Sequence, residues 1–266
     1  MHSAPPAPPD LGPSAETINP AGGGALMLVC EHASPAIPGP LGGLGLTDAA
    51  ARSHAAWDIG ARALACGLSD MFDAPLVAGC LSRLVIDCNR PPDAPDAIPP
   101  RSEVFDVPGN VGLSAAARAA RVAQVYDPFH AAVSDTCDRM AGRGPGPVFV
   151  TVHSFTPVYR GVPRSVQLGL LHGRDDRLAR AMLAHGAQTG WQCARNQPYG
   201  PGDGVLHMID RHAAARGWVN VMIELRNDLI DTPDGIAAAL PRLARLLRAG
   251  LADLGIDPGP ETGGVR

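Results

Sequence analysis

Four short stretches of this 266-residue chain place groups that ionise or bind metal straight after apolar runs. They are Glu31 and His32 in "VCEH"; Arg83, Asp87, Asn89 and Arg90 in "SRLVIDCNR"; His153 and Ser154 in "VTVHS"; and Glu224, Arg226 and Asp228 in "IELRND". Each alone has a plain structural explanation. A strand-end histidine is more often bonded to a loop than to a metal, Asn-Arg beside proline is common turn chemistry, and alternation along a strand lets Glu224 and Arg226 form a simple ion pair. Gathered at one edge of a sheet, they are the inventory for hydrolysis at a metal. Zinc takes neutral imidazole and carboxylate oxygen and keeps one position open for a water, whose pKa falls towards ~7. A carboxylate base, a cation for the developing oxyanion and a group to hold a remote anion complete the chemistry.

Those residues need a scaffold, and the hydrophobic pattern supplies one. "ALMLVC" (Ala25 to Cys30), "APLVAGC", "SRLVIDCN", "PVFVTVHSF", "SVQLGLLH" and "WVNVMIELRNDL" read as strands, several of them continuously apolar and so buried on both faces. Between them, Thr47 to Met71, Leu113 to Gly142, Asp176 to Gly190 and Gly235 to Gly255 carry helical spacing. Thr47 is an N-cap for the first, and the second is one helix or two, broken near Pro128. Strands alternating with helices predict an α/β fold, a three-layer α/β/α arrangement on a mixed, mainly parallel sheet. In such sheets ligands sit at the carboxyl ends of the strands, where these residues fall. Residues 1–24, rich in Pro and Gly, read as an arm that is poorly ordered or lies on the surface, and residues 25–266 as a single domain. The stretch from Arg90 to Asn110 is a long loop, which in a compact domain is functional or disordered.

Composition excludes several roles. A net charge of −4, no Lys/Arg run, and only 3 Tyr and 3 Trp argue against nucleic acid. No segment approaches 18 uninterrupted apolar residues and the first residues are not a secretory signal, so a cytoplasmic protein with no membrane contact is expected. The six cysteines are scattered without a C-x-x-C pair, as reduced core thiols would be, which leaves histidine and carboxylate to hold any metal.

The stretches "VCEHASPAIP", "AAWDIGARALA", "SRLVIDCNRP", "VTVHSFTP", "NQPYGPGDG" and "VMIELRNDLI", in that order from Cys30 to Ile230, resemble the N-formylglutamate amidohydrolase family. The resemblance implies a fold like that of the zinc carboxypeptidases. It also implies one Zn2+ per chain and hydrolysis of a small N-acyl amino acid, with N-formyl-L-glutamate giving formate and glutamate in histidine degradation. It matches His32 and His153 to the histidine ligands. The carboxypeptidase pattern His-x-x-Glu is broken here by Pro35, so the carboxylate ligand is Asp58 or Glu31. Asp58, near a helix start, is the favoured ligand, its alternative being a first-turn acid stabilised by the helix dipole; Glu31 and His32, adjacent on a strand, would face opposite ways unless the chain has already turned. Glu224 is expected as the base, with Arg226 and Asp228 supporting it. Arg83 is expected to polarise the scissile carbonyl, and Asn89 and Arg90 to bind the α-carboxylate unless Arg90 instead pairs with Asp87 or Asp93. Ser154, Asn196, Tyr199 and Arg226 complete the expected substrate contacts, Tyr199 being as readily a packing residue. His130 and His212 lie in helical patterns and are read as structural. Two alternatives stay open: the same chemistry on another N-acyl amino acid, and a non-catalytic binder of metal or small ligand.

Overall fold

The computed structural model describes residues 8–142, 144 and 146–259. Seven strands form the central sheet: β1 (Ala15–Ile18), β2 (Leu26–Cys30), β3 (Leu76–Gly79), β4 (Val148–Phe155), β5 (Leu168–Leu171), β6 (Cys193–Arg195) and β7 (Asn220–Arg226), in the order β1-β3-β2-β4-β7-β5-β6. The central four, β3, β2, β4 and β7, run parallel, β1 joins β3 antiparallel, and β5 meets β7 antiparallel with β6 parallel beyond it. The sheet is thus mixed and mainly parallel, as the apolar runs predict. Strand β1 comes from the stretch expected as an arm, and Leu11 ahead of it is buried. Residues 1–7 lie outside the described residues.

Alternation along the strands feeds two apolar layers. Leu26, Leu28, Val150, Val152, Ile223 and Leu225 face one side, where α2 (Ala61–Met71), α5 (Arg177–Ala184) and α7 (Pro233–Asp253) cover them. Met27, Val29, Val77, Phe149 and Met222 face the other, against α4 (Asp127–Ala141) and α6 (His207–His212). Helices on both faces of the sheet make the three layers. No helix among the described residues is long and apolar enough to cross a membrane.

Two departures from the sequence reading build the site. The helical pattern from Thr47 to Met71 is interrupted: α1 (Asp48–Arg52), capped by the Thr47 hydroxyl accepting from Ala50 N–H, stops at Ser53, and α2 resumes only at Ala61. Gly60 forms the bend at φ +79°, and a Cβ there would lie 2.2 Å from the Ile230 carbonyl, so glycine is required twice over. Within the gap, Asp58 N–H donates to the His32 carbonyl at 2.9 Å, which sets Asp58 against the end of β2.

The second departure is "SRLVIDCN", expected as a strand, which is a run of tight turns. Ser82 Oγ accepts from Leu84 N–H and the Asp87 side chain from Asn89 N–H, local bonds that compete with a strand ladder, while Ser82 Oγ also donates to the distant Ala56 carbonyl. Turning brings Arg83 and Asp87, four residues apart, into one ion pair. The segment from Leu113 to Gly142 also differs in detail. Helix α3 (Ala115–Arg121) runs through one π turn (Val122–Tyr126) into α4, and Pro128, which lacks an N–H to bond back one turn, stands in the first turn of α4.

Candidate active site

Strand β2 ends at Cys30, one residue before Glu31 and His32, while β4 carries His153 and Ser154. In the parallel ladder Glu224 of β7 stands beside His153, so base candidate and ligand candidate are neighbours across two strands. The turn before α2 adds Asp58. His32, Asp58, His153, Ser154 and Glu224, but not Glu31, line a cavity of about 620 Å³ together with Arg83 and Asp87.

Asp58 Oδ2 lies 3.3 Å from His32 Nδ1 and 2.9 Å from His153 Nδ1. Each histidine turns its other nitrogen to a second carboxylate: His32 Nε2 is 2.8 Å from Asp87 Oδ1, and His153 Nε2 is 3.1 Å from Glu31 Oε2. The Arg83 guanidinium bridges Asp58 Oδ1 at 3.3 Å and Asp87 Oδ2 at 2.8 Å.

Electrostatics follow from burial and these pairings. Burial would raise the Asp58 pKa, but the charge of His32 and the hydrogen bond from His153 reverse this and hold it well below the carboxylate range. Asp87 behaves likewise: burial opposes ionisation, and His32 and Arg83 overcome it. Burial and, for His32, the Arg83 charge push the two histidines down. Asp87 and Asp58 around His32, and Glu31 and Asp58 around His153, win and raise both. The cluster therefore holds more buried negative charge than its own side chains neutralise without taking up protons. A cation satisfies the same demand, which is how a metal displaces protons from its ligands.

Glu224 is different. Burial raises it to about 7, the His153 charge working against the rise, and its buried Oε2 has no hydrogen-bond partner among the described residues.

The other expected residues divide. Arg83, Asn89, Arg90, Ser154 and Tyr199 line the cavity with Glu224; Glu31, Asn196 and Arg226 do not. The Asn196 side-chain oxygen accepts from His172 N–H, away from the site. Arg226 forks onto Asp228 and donates to the Arg164 carbonyl, so that pair braces the Arg164 loop rather than Glu224. Asn89 donates to the Val205 carbonyl and accepts from Met208 N–H, which leaves it anchoring the loop over the cavity. Arg90 pairs with Asp96 at 2.7 Å, neither Asp87 nor Asp93 being its partner. Ser154 Oγ donates to the Ile59 carbonyl and holds the Asp58 turn in place. Two residues gain importance that the sequence reading did not give them. Asp87 was legible only if the segment turned, and Arg164 lies in a Gly- and Pro-punctuated loop ("YRGVPR") that folds back over the strand end.

A second histidine cluster lies apart from the cavity lining. His130 Nε2–H donates to the Cys88 carbonyl at 3.0 Å, which leaves Nδ1 to accept from His212 Nε2–H at 2.8 Å. Burial and the neighbouring His212 lower His130 to about 3, and burial with Arg211 lowers His212 to about 4. Both stay neutral in the fold while the unfolded chain protonates near 6.5, so stability falls as pH drops from about 6.5 towards those values. In that window Glu224 acts oppositely, because its raised carboxyl gains stability as pH falls from about 7 towards 4.5. The comparison must therefore be between proteins. Between pH 7 and pH 5, the urea midpoint of a His130→Gln/His212→Gln variant should fall less, or rise more, than that of the wild type; equal shifts would rule out these histidines as the source.

Among the described residues one group of His, Cys, Asp and Glu could hold a metal ion, His32, Asp58 and His153, all buried with their ligand atoms within 4.8 Å of one another. An α/β sheet that converges imidazole and carboxylate on a cleft, with a buried carboxylate oxygen beside them that has no hydrogen-bond partner among the described residues, is an arrangement suited to a metal-assisted hydrolase. A crystal structure of a gene product from Agrobacterium tumefaciens is 48% identical, covers 92% of this chain and 97% of its own, and superimposes with a TM-score of 0.90. That of N-formylglutamate amidohydrolase from Ralstonia eutropha JMP134 is 21% identical over 91% of this chain and 99% of its own, with a TM-score of 0.66, and shares the fold. No curated protein matches the chain. The N-formylglutamate amidohydrolase family model matches residues 24–231, and the chain belongs to that family.

Proposed function

We propose that this protein is a zinc-dependent amidohydrolase that cleaves N-formyl-L-glutamate with water to formate and L-glutamate. The observation that carries the reading is the convergence of His32, Asp58 and His153 beside the buried carboxylate of Glu224, whose Oε2 has no hydrogen-bond partner among the described residues. Family membership supports the substrate.

His32 Nδ1, Asp58 Oδ2 and His153 Nδ1 would hold the ion, a neutral-imidazole and carboxylate set suited to zinc. Asp87 and Glu31, behind the histidines, fix their ring orientation and tautomer. When bound, zinc supplies Lewis acidity to a carbonyl oxygen and lowers the pKa of a water. Glu224 takes the proton from the attacking water and delivers it to the leaving amide nitrogen, so the C–N bond breaks as a neutral amine departs. A carboxyl raised to about 7 suits both halves of that transfer. Arg83, locked by Asp58 and Asp87 and about a quarter exposed to the cavity, presents fixed positive charge to the developing oxyanion.

The test is metal analysis of the purified protein with a formate-release assay. About one zinc per chain is expected, with formate released from N-formyl-L-glutamate, activity lost on chelation and restored by zinc. Zinc-loaded protein that releases no acid from any N-acyl amino acid would defeat the reading.

A further inference from the structure

The cavity is rich in arginine, yet most of that charge is already matched. Arg83 is bound by Asp58 and Asp87, Arg90 by Asp96, and Arg101 by Asp106. Two lining arginines, Arg160 and Arg164, have no carboxylate partner among the described residues; Arg160 is exposed at the rim, while Arg164 is half-buried.

Arg164 is also held in place. Its guanidinium carbon lies 4.6 Å from the Tyr159 ring centroid, 4.8 Å from that of Tyr199 and 5.5 Å from that of Phe155, and Nη1 donates to Tyr199 Oη at 3.0 Å. Its backbone is tied by N–H to the Pro157 carbonyl and by its own carbonyl to Arg226, which itself forks onto Asp228. Rings over a guanidinium face stabilise the cation without consuming its in-plane N–H donors. Nη1 is taken by Tyr199 Oη and, at 3.4 Å, the Thr156 carbonyl, while Nε and Nη2 have no partner among the described residues, and that edge fits a planar carboxylate. Phe155, Tyr159 and Tyr199 line the same cavity as Glu224 and Arg83, so the aromatic cluster shares the space that a substrate would occupy. A half-buried guanidinium that other residues orient but none neutralises is a site for an anion from outside the protein.

We propose that Arg164, framed by Tyr159 and Tyr199, is the residue that recognises a carboxylate of the N-acyl amino acid. This rests on the deformylase reading above and assigns the anion contact within it. The carboxylate takes no part in the bonds made and broken, so the contact persists from ground state to transition state and shows in KM. Arg164→Met should lower kcat/KM on N-formyl-L-glutamate by about 10- to 100-fold, mostly through KM, and Arg164→Lys should recover part of that.

The decisive comparison uses substrates in which one carboxylate is replaced by an amide, N-formyl-L-glutamine for the side chain and N-formyl-L-isoglutamine for the α position. For the analogue lacking the group that Arg164 holds, wild type should be impaired and Arg164→Met should cost little more. An equal penalty on all three substrates, or none on any, overturns the proposal. If the zinc-loaded wild type hydrolyses none of them, the deformylase reading fails, and calorimetric binding of L-glutamate decides the arginine's role separately. Binding by wild type but not by Arg164→Met keeps the carboxylate assignment. Equal binding, or none by either, removes it.

Discussion

Glu224→Gln is expected to keep its zinc and lose at least about 10²-fold in kcat. The amide is nearly the size of the carboxylate, so packing against β4 survives. What disappears is the group proposed to move the proton. The cross-strand register sets Glu224 beside His153, and among the described residues the buried Oε2 has no competing hydrogen-bond partner to hold the proton or block its transfer. Burial at this position disfavours the charged form, so the neutral glutamine should fold at least as stably at pH 7. The checks are zinc content, thermal midpoint and single-turnover formate release on the same preparation. If zinc is lost with activity, Glu224 is a ligand and the assignment of the base is wrong.

The second large effect separates Asp58 from Glu31. Asp58→Asn should lose stoichiometric zinc and with it all measurable turnover, because Asp58 Oδ2 is the atom on which both Nδ1 nitrogens converge. Glu31→Gln should weaken zinc affinity by about 10- to 100-fold yet regain activity in excess zinc, as expected for a carboxylate that orients a ligand from behind. The backbone explains the difference. A Cβ on Gly79 would lie 2.1 Å from the Glu31 carbonyl oxygen, so β3 passes directly against the chain as it leaves β2 and fixes the direction in which Glu31 points. The carboxylate is buried behind His153 and does not line the cavity. Titrating zinc into apo forms of both variants checks this, and a Glu31→Gln protein that never regains zinc while Asp58→Asn retains it would reverse the roles.

The continuous apolar runs before His32, around His153 and before Glu224 made three of the central strands readable, because strands buried on both faces tolerate little else. Residue types alone made the two histidines and Glu224 candidates. Asn196 and Arg226 lie outside the cavity lining, because proximity in a suggestive stretch is not proximity in space: Asn196 bonds to His172, and Arg226 donates to the Arg164 carbonyl.

What the sequence determined by itself was the layer architecture and which strand ends carry chemistry, since both follow from local periodicity and residue type. Tertiary structure alone decided the choices that depend on contacts between distant segments. The bend at Gly60 against the Ile230 carbonyl lets Asp58, 26 residues beyond His32 and 95 before His153, reach both rings. The turns in "SRLVIDCN" set Asp87 behind His32 and Arg83 across two carboxylates. Local patterns encode whether a residue is buried or polar; the direction of a side chain in a turn is fixed by whatever packs against that turn, and here those partners come from elsewhere in the chain.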